Sequence, residues 1–125
     1  MPGLLSPVGH YTASGGLLWV LEKSDEIVGT VAIKPAAEPQ VAELQHLYVH
    51  RSWRRRGLGA FLCEVVEQEA LVRQCSAVEL WSDVWLVDAP RLFERRGYIR
   101  AEETTNADCC STVRCCYRKQ LTRTP

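Results

Sequence analysis

The chain has 125 residues, 46% hydrophobic and 24% charged, with fifteen basic residues against fifteen acidic ones. That suits one ordinary globular domain, and zero net charge excludes a global field that would gather nucleic acid or a membrane surface. No apolar run approaches the roughly 20 residues of a membrane span, and Met1-Pro2-Gly3-Leu4-Leu5 lacks the features of a signal peptide, so the expected compartment is the cytoplasm.

Residues 1–15 are rich in Gly, Pro and Ser, hold no lasting periodicity and read as an irregular N-terminal segment. Leu17 to Leu21 is a predicted strand, Lys23 to Glu26 its polar turn, and Ile27 to Ile33 the return strand of a hairpin. A loop at Pro35 to Pro39 precedes a long third strand, Val41 to Val49. The helix predicted from about Gly57 to Arg73 places Leu58, Phe61, Leu62, Val65 and Val66 at the i, i+3, i+4, i+7, i+8 spacing of one face. Ala77 to Trp81 is a further strand, and strand–helix–strand implies a right-handed parallel crossover. Asp88 reads as an N-cap, Pro90 fits the first turn, and Gly97 closes a short helix whose apolar stripe is Ala89, Leu92 and Phe93. Tyr98 to Glu102 and Thr112 to Leu121 read as a closing hairpin, leaving 122–125 as a tail to a single domain, 16–121.

The chemistry concentrates where the third strand meets the first helix, at Arg54-Arg55-Arg56-Gly57-Leu58-Gly59-Ala60. A helix N-terminus presents unpaired N–H groups and the positive dipole end; glycines admit a ligand to the backbone, and guanidinium groups match phosphate oxygens. The stretch reads as a pyrophosphate cradle, against the plainer reading of an arginine-rich surface turn. A nucleotide-triphosphate loop would need Gly-Lys-Ser/Thr, but Gly59 is followed by Ala60 and Phe61. A dinucleotide fingerprint would need a third glycine where Leu62 stands. The Arg/Gln-x-x-Gly-x-Gly/Ala signature is present from Arg54 to Gly59.

The run from Leu47 to Gly59 closely resembles motif A of the GNAT superfamily of acyl-CoA-dependent N-acetyltransferases. A second stretch, Ala89 to Tyr98, is similar to that family's motif B, and the element order ββ(β-α-β)αββ is that of its core. The resemblance spans residues 16 to 121 and implies an α/β (α+β) fold. The expected sheet is mixed and mainly antiparallel, with a central parallel crossover. The strand and two helices with which the family usually begins are expected to be missing, because about 16 residues do not hold them.

The resemblance further implies acetyl-CoA as cosubstrate, with its pyrophosphate on the backbone of Arg54, Arg55, Arg56, Gly57, Leu58, Gly59 and Ala60. Its pantetheine arm would pair with the backbone of Leu47, Tyr48 and Val49, where a β-bulge turns N–H groups toward the thioester carbonyl, and Val49 is the candidate oxyanion donor. The acceptor is a small-molecule or protein amine, which must lose a proton because a lysine-like amine has a pKa near 10.4. Glu43, eleven residues before Arg54 as in several family members, is the candidate base, with Gln45 following on the same strand face. The plainer reading of Glu43 is a solvated strand face.

Two positions depart from the family pattern: Phe93 stands where motif B usually carries the tyrosine that protonates the leaving thiolate, and Leu86 where an asparagine is common. A thiol pKa near 8.5 lets the thiolate leave without that acid. His46 and His50 are expected to flank Tyr48 on the face opposite Glu43, in packing or surface roles. Cys109-Cys110 and Cys115-Cys116 lack the Cys-x2-Cys spacing of a zinc site, so no metal is expected, and Trp81 and Trp85 either pack the core or line the acceptor cleft. The rival function is a non-catalytic acyl-CoA-binding or regulatory module; nucleic-acid binding through Arg51 to Arg56 is a third reading. With about 16 residues before the first hairpin, the acceptor cleft is expected to be open and the Leu17–Leu21 edge exposed. A homodimer would cover that edge, or else Val8 to Thr12 would supply a short strand.

Overall fold

The computed structural model describes residues 8–11, 15–83, 88–106 and 112–121. These form a seven-stranded sheet in the order β1-β2-β3-β4-β5-β7-β6. The strands are β1 (Val8–Tyr11), β2 (Leu17–Lys23), β3 (Glu26–Pro35), β4 (Val41–Val49), β5 (Ala77–Asp83), β6 (Ile99–Asn106) and β7 (Thr112–Gln120). The helices are α1 (Leu58–Val72) and α2 (Asp88–Arg95). Only β4 and β5 run parallel, joined through α1; the remaining neighbours are antiparallel.

The expected architecture is present, with α1 bounded by Gly57 and Arg73 as its caps. The N-terminal segment differs from the irregular stretch expected of it. Val8–Tyr11 is a strand that pairs with β2, so the Leu17–Leu21 edge is not exposed. A free edge offers unmet N–H and C=O groups, and the nearest extended segment of the same chain takes them. The closing strands also run further than expected, to Asp83 in β5 and Asn106 in β6.

α1 lies across one face of the sheet. Its inward side is Leu58, Leu62, Cys63, Val66, Glu67 and Ala70, which meet Leu21, Val31 and Ile33 of the hairpin, Leu44 of β4 and Val78 of β5. Gly29 of β3 permits this approach, because a Cβ there would stand 3.1 Å from a methyl of Leu62. Phe61 and Val65, expected on the same stripe, sit on the flank of the helix and are half-buried. α2 is packed on this face through Phe93, whose ring lies 6.1 Å from Tyr98 and 5.6 Å from Tyr117. It ends as the sequence implies, on Gly97 at φ +93°, with the Tyr98 N–H donating to the Phe93 carbonyl at 2.9 Å.

Candidate active site

β4 is paired with β3 along its length but with β5 only from Val41–Glu43 to Ala77–Glu79. Beyond that point the two parallel strands part, and among the described residues the β5-side edge of β4 from Leu44 to Val49 has no strand against it. The His50 N–H donates to the Val28 carbonyl of β3 at 2.8 Å. Because peptide groups alternate along an antiparallel pair, the Val49 and Leu47 groups point the other way, into the opening. The Val49 carbonyl there accepts from Arg54 Nε at 3.1 Å, which leaves its N–H as the group presented.

The expected bulge is present. His46 and Leu47 stand opposite the single Val31, with His46 at φ +53° and its carbonyl accepting from the Thr30 hydroxyl at 2.7 Å. One extra residue reverses the alternation of side chains. Tyr48 therefore shares the face of Glu43 and Gln45, away from α1, and not the opposite face that the sequence implied. Leu47 and Val49 turn toward the core instead. His50 also departs from its expected place: its Nδ1 accepts from the Ser52 N–H at 3.1 Å and caps the 3-10 turn Arg51–Trp53.

On that second face Glu43 is half-buried, and Gln45 Nε2 donates to its Oε2 at 2.9 Å. Lys34 of β3 and Glu79 of β5 are its cross-strand neighbours. Trp81 lies two residues beyond Glu79, half-buried on the same side. Trp85 and Leu86 fall outside the described residues, as do Cys109 and Cys110. Among the described residues no group of His, Cys, Asp and Glu is placed to hold a metal.

The opening runs onto the N-terminus of α1. Arg55 at φ +65° and Gly57 at φ +77° turn the chain, and Gly57 has no side chain with which to cap the helix. The first bond of the helix is Phe61 N–H to the Gly57 carbonyl at 3.0 Å, so the N–H groups of Leu58, Gly59 and Ala60 have no intrahelical acceptor. The two glycines have different jobs. Gly57 supplies the left-handed turn, whereas a Cβ on Gly59 would stand 3.0 Å from a methyl of Leu92 in α2. Arg54 departs from the expected donor set, because its N–H turns back to the Arg51 carbonyl at 3.4 Å. Arg51, Arg54, Arg55 and Arg56 are exposed, and no described carboxylate pairs with them. Phe93 is buried against the rings of Tyr98 and Tyr117, and its own ring carries no hydroxyl where motif B usually has a tyrosine.

The matching sequence profile is that of the Acetyltransferase (GNAT) family, over residues 6–98. This chain belongs to that family. It is 31% identical over 98 residues to the protein named Probable N-acetyltransferase 14 of Xenopus tropicalis, covering 78% of this chain and 48% of that one. The chain thus spans about half the length of the curated relatives it matches. In fold it is similar to a GNAT family acetyltransferase from Elizabethkingia anophelis with acetyl-CoA bound, at TM-score 0.76 and 12% identity, over 94% of this chain and 98% of that one. It is also similar to the ribosomal-protein-S18-alanine N-acetyltransferase of Escherichia coli, at TM-score 0.74 and 17% identity, over 91% and 74% of the two chains.

Sequence reasoning missed Glu67. Buried on α1, its carboxylate accepts from Arg96 at 2.6 Å and Lys119 at 3.0 Å on one oxygen, and from the Tyr98 hydroxyl at 3.0 Å on the other. The signal was available: Glu67 is a charged residue between Val66 and Ala70 on the inward sector of an amphipathic helix. This network ties α1 to the end of α2 and to β7. Burial, then the nearby Glu67 charge, pushes the Cys63 thiol up to about 12 and raises the Tyr98 phenol as well.

Proposed function

We propose that this chain transfers an acetyl group from acetyl-CoA to a primary amine, by direct attack within a ternary complex. The observation that carries the reading is the parting of β4 from β5, which opens a backbone-lined slot directly onto the uncapped end of α1. The cradle fits a pyrophosphate: Leu58, Gly59 and Ala60 offer N–H groups, Gly57 leaves the approach clear, and Arg55 and Arg56 add charge. Leu47 and Val49 offer the backbone edge for the pantetheine amides. When bound, acetyl-CoA supplies an activated thioester carbonyl.

In this reading the amine nitrogen forms a bond to that carbonyl carbon while the carbon–sulfur bond breaks and the thiolate leaves. The Val49 N–H donates to the carbonyl oxygen as charge develops on it. Glu43, oriented by Gln45, takes the proton from the amine directly or through one water. Nothing beyond a proton needs to reach the thiolate, whose own pKa near 8.5 makes it a fair leaving group without Tyr in place of Phe93.

The acceptor is a small-molecule or protein amine that approaches from the Glu43 face. We assign the chain to the cytoplasm. The proposed homodimer now rests on β1, an exposed edge carrying Val8 and Tyr11, 87% exposed in the latter case, and sedimentation at low micromolar concentration tests it. For the reaction, thiol release from acetyl-CoA is followed with a panel of amines beside the thermal shift caused by CoA. Release that depends on an amine is expected. A thermal shift without release from any amine would instead make the chain an acyl-CoA-binding module.

A further inference from the structure

The cation cluster at the start of α1 extends beyond the cradle. Trp53, at the end of the 3-10 turn, packs its indole against the core while remaining half-exposed. Two cations from different elements lie over that one ring: Arg56 Cζ at 5.0 Å from its centroid and Lys23 Nζ at 5.5 Å. Lys23 comes from the end of β2 and has no part in motif A. Among the described residues neither Lys23 nor Arg56 is paired with a carboxylate, and Glu26 on the same hairpin is turned toward His50 at 3.8 Å. The indole attracts each cation through its ring face. Both charges therefore stand within reach of one ring, where each attracts a bound anion.

A pyrophosphate on the α1 N-terminus uses backbone N–H groups and needs neither Lys23 nor Trp53. Coenzyme A carries one other anion, the 3′-phosphomonoester of its ribose, and a phosphomonoester takes up to two negative charges near neutral pH. We propose that Lys23 and Arg56, held on Trp53, form a second anion site that binds this 3′-phosphate, so that the protein selects CoA over 3′-dephospho-CoA. The proposal rests on the acetyl-CoA reading above but adds Lys23, which lies outside motif A. Lys23 is a specificity residue in this account, and Trp53 positions the two cations.

Isothermal titration of the full chain with CoA and with 3′-dephospho-CoA tests it, because no acceptor amine is required. Wild type should prefer CoA about tenfold, the factor that about 1.4 kcal/mol supplies. Lys23→Met keeps the aliphatic stem, and Trp53→Leu removes the ring. Each should weaken CoA while leaving 3′-dephospho-CoA unchanged, so that the preference collapses. Equal affinities in wild type would overturn the second anion site while leaving the cradle standing. Equal weakening of both ligands in Lys23→Met would overturn it too. Failure of wild type to bind either ligand would instead sink the acetyl-CoA reading itself.

Discussion

Two glutamates on opposite faces of the sheet show what separates a packing carboxylate from one left available for chemistry. Glu67, under α1, has three donors around it and almost no contact with water. Glu43, on the face away from α1, has one donor among the described residues, Gln45, and remains half-exposed. A carboxylate saturated with donors is fixed in place and unready to accept a proton from a visiting group. One with a single orienting contact keeps lone pairs for a substrate or a water. The lesson is that burial and a full set of partners mark Glu67 as a clamp, while partial exposure beside an open strand edge marks Glu43 as the candidate base.

The largest effect that would break this comparison is on the clamp. Glu67→Ala strands the Arg96 and Lys119 cations and the Tyr98 hydroxyl, and breaking a buried pair in this way costs about 3 kcal/mol. Urea denaturation should register the loss, and unchanged stability would remove the distinction between the faces. Glu43→Gln should do the reverse. Its stability should stay within about 0.5 kcal/mol of wild type, while turnover falls about 100-fold near pH 6. The deficit should narrow toward pH 9, where more of a lysine-like amine is already deprotonated. Rates matching wild type throughout would show that Glu43 is not the base.

The closed face should also carry an alkaline signature. The folded state holds the Cys63 proton up to about 12, above its ordinary 9.0, so it binds that proton more tightly than the unfolded chain does. Stability is therefore complete below pH 9 and declines as pH rises from 9 toward 12, by at most about 1.4 kcal/mol per pH unit for the group. The Tyr98 phenol, raised by burial and then by Glu67, acts in the same direction above its ordinary 10.0. Melting temperature against pH should fall in this window, and Cys63→Ala should flatten the fall.

The smallest effects sharpen the border between cradle and packing. Gly57→Ala forces a side chain into φ +77° and should cost about 1 kcal/mol. Gly59→Ala gains about 0.8 kcal/mol of helix propensity. That gain offsets the small shift of the Leu92 methyl, so its melting temperature should stay close to wild type.

Much of this was legible in the chain itself. Local propensity and motif spacing are carried by neighbours in sequence, so the strand, the arginine turn, the α1 caps and the Gly97 stop could be read from residues a few positions apart. The resemblance supplied the bulge and the candidate Glu43, and both occupy the expected strand. Which face Tyr48 takes could not be read, because an extra residue at His46 and Leu47 is defined only against Val31 on a neighbouring strand. Glu67 needed Arg96, Tyr98 and Lys119, which lie 29, 31 and 52 residues away. The cover over β2 was undecided for the same reason: Val8–Tyr11 has little periodicity of its own and becomes a strand only against a partner edge. Sequence determined which segments form elements and where the candidate anion cradle lies. Tertiary structure decided which side chains share a face, because strand register, helix packing and long-range ion pairs are properties of residues brought together only by folding.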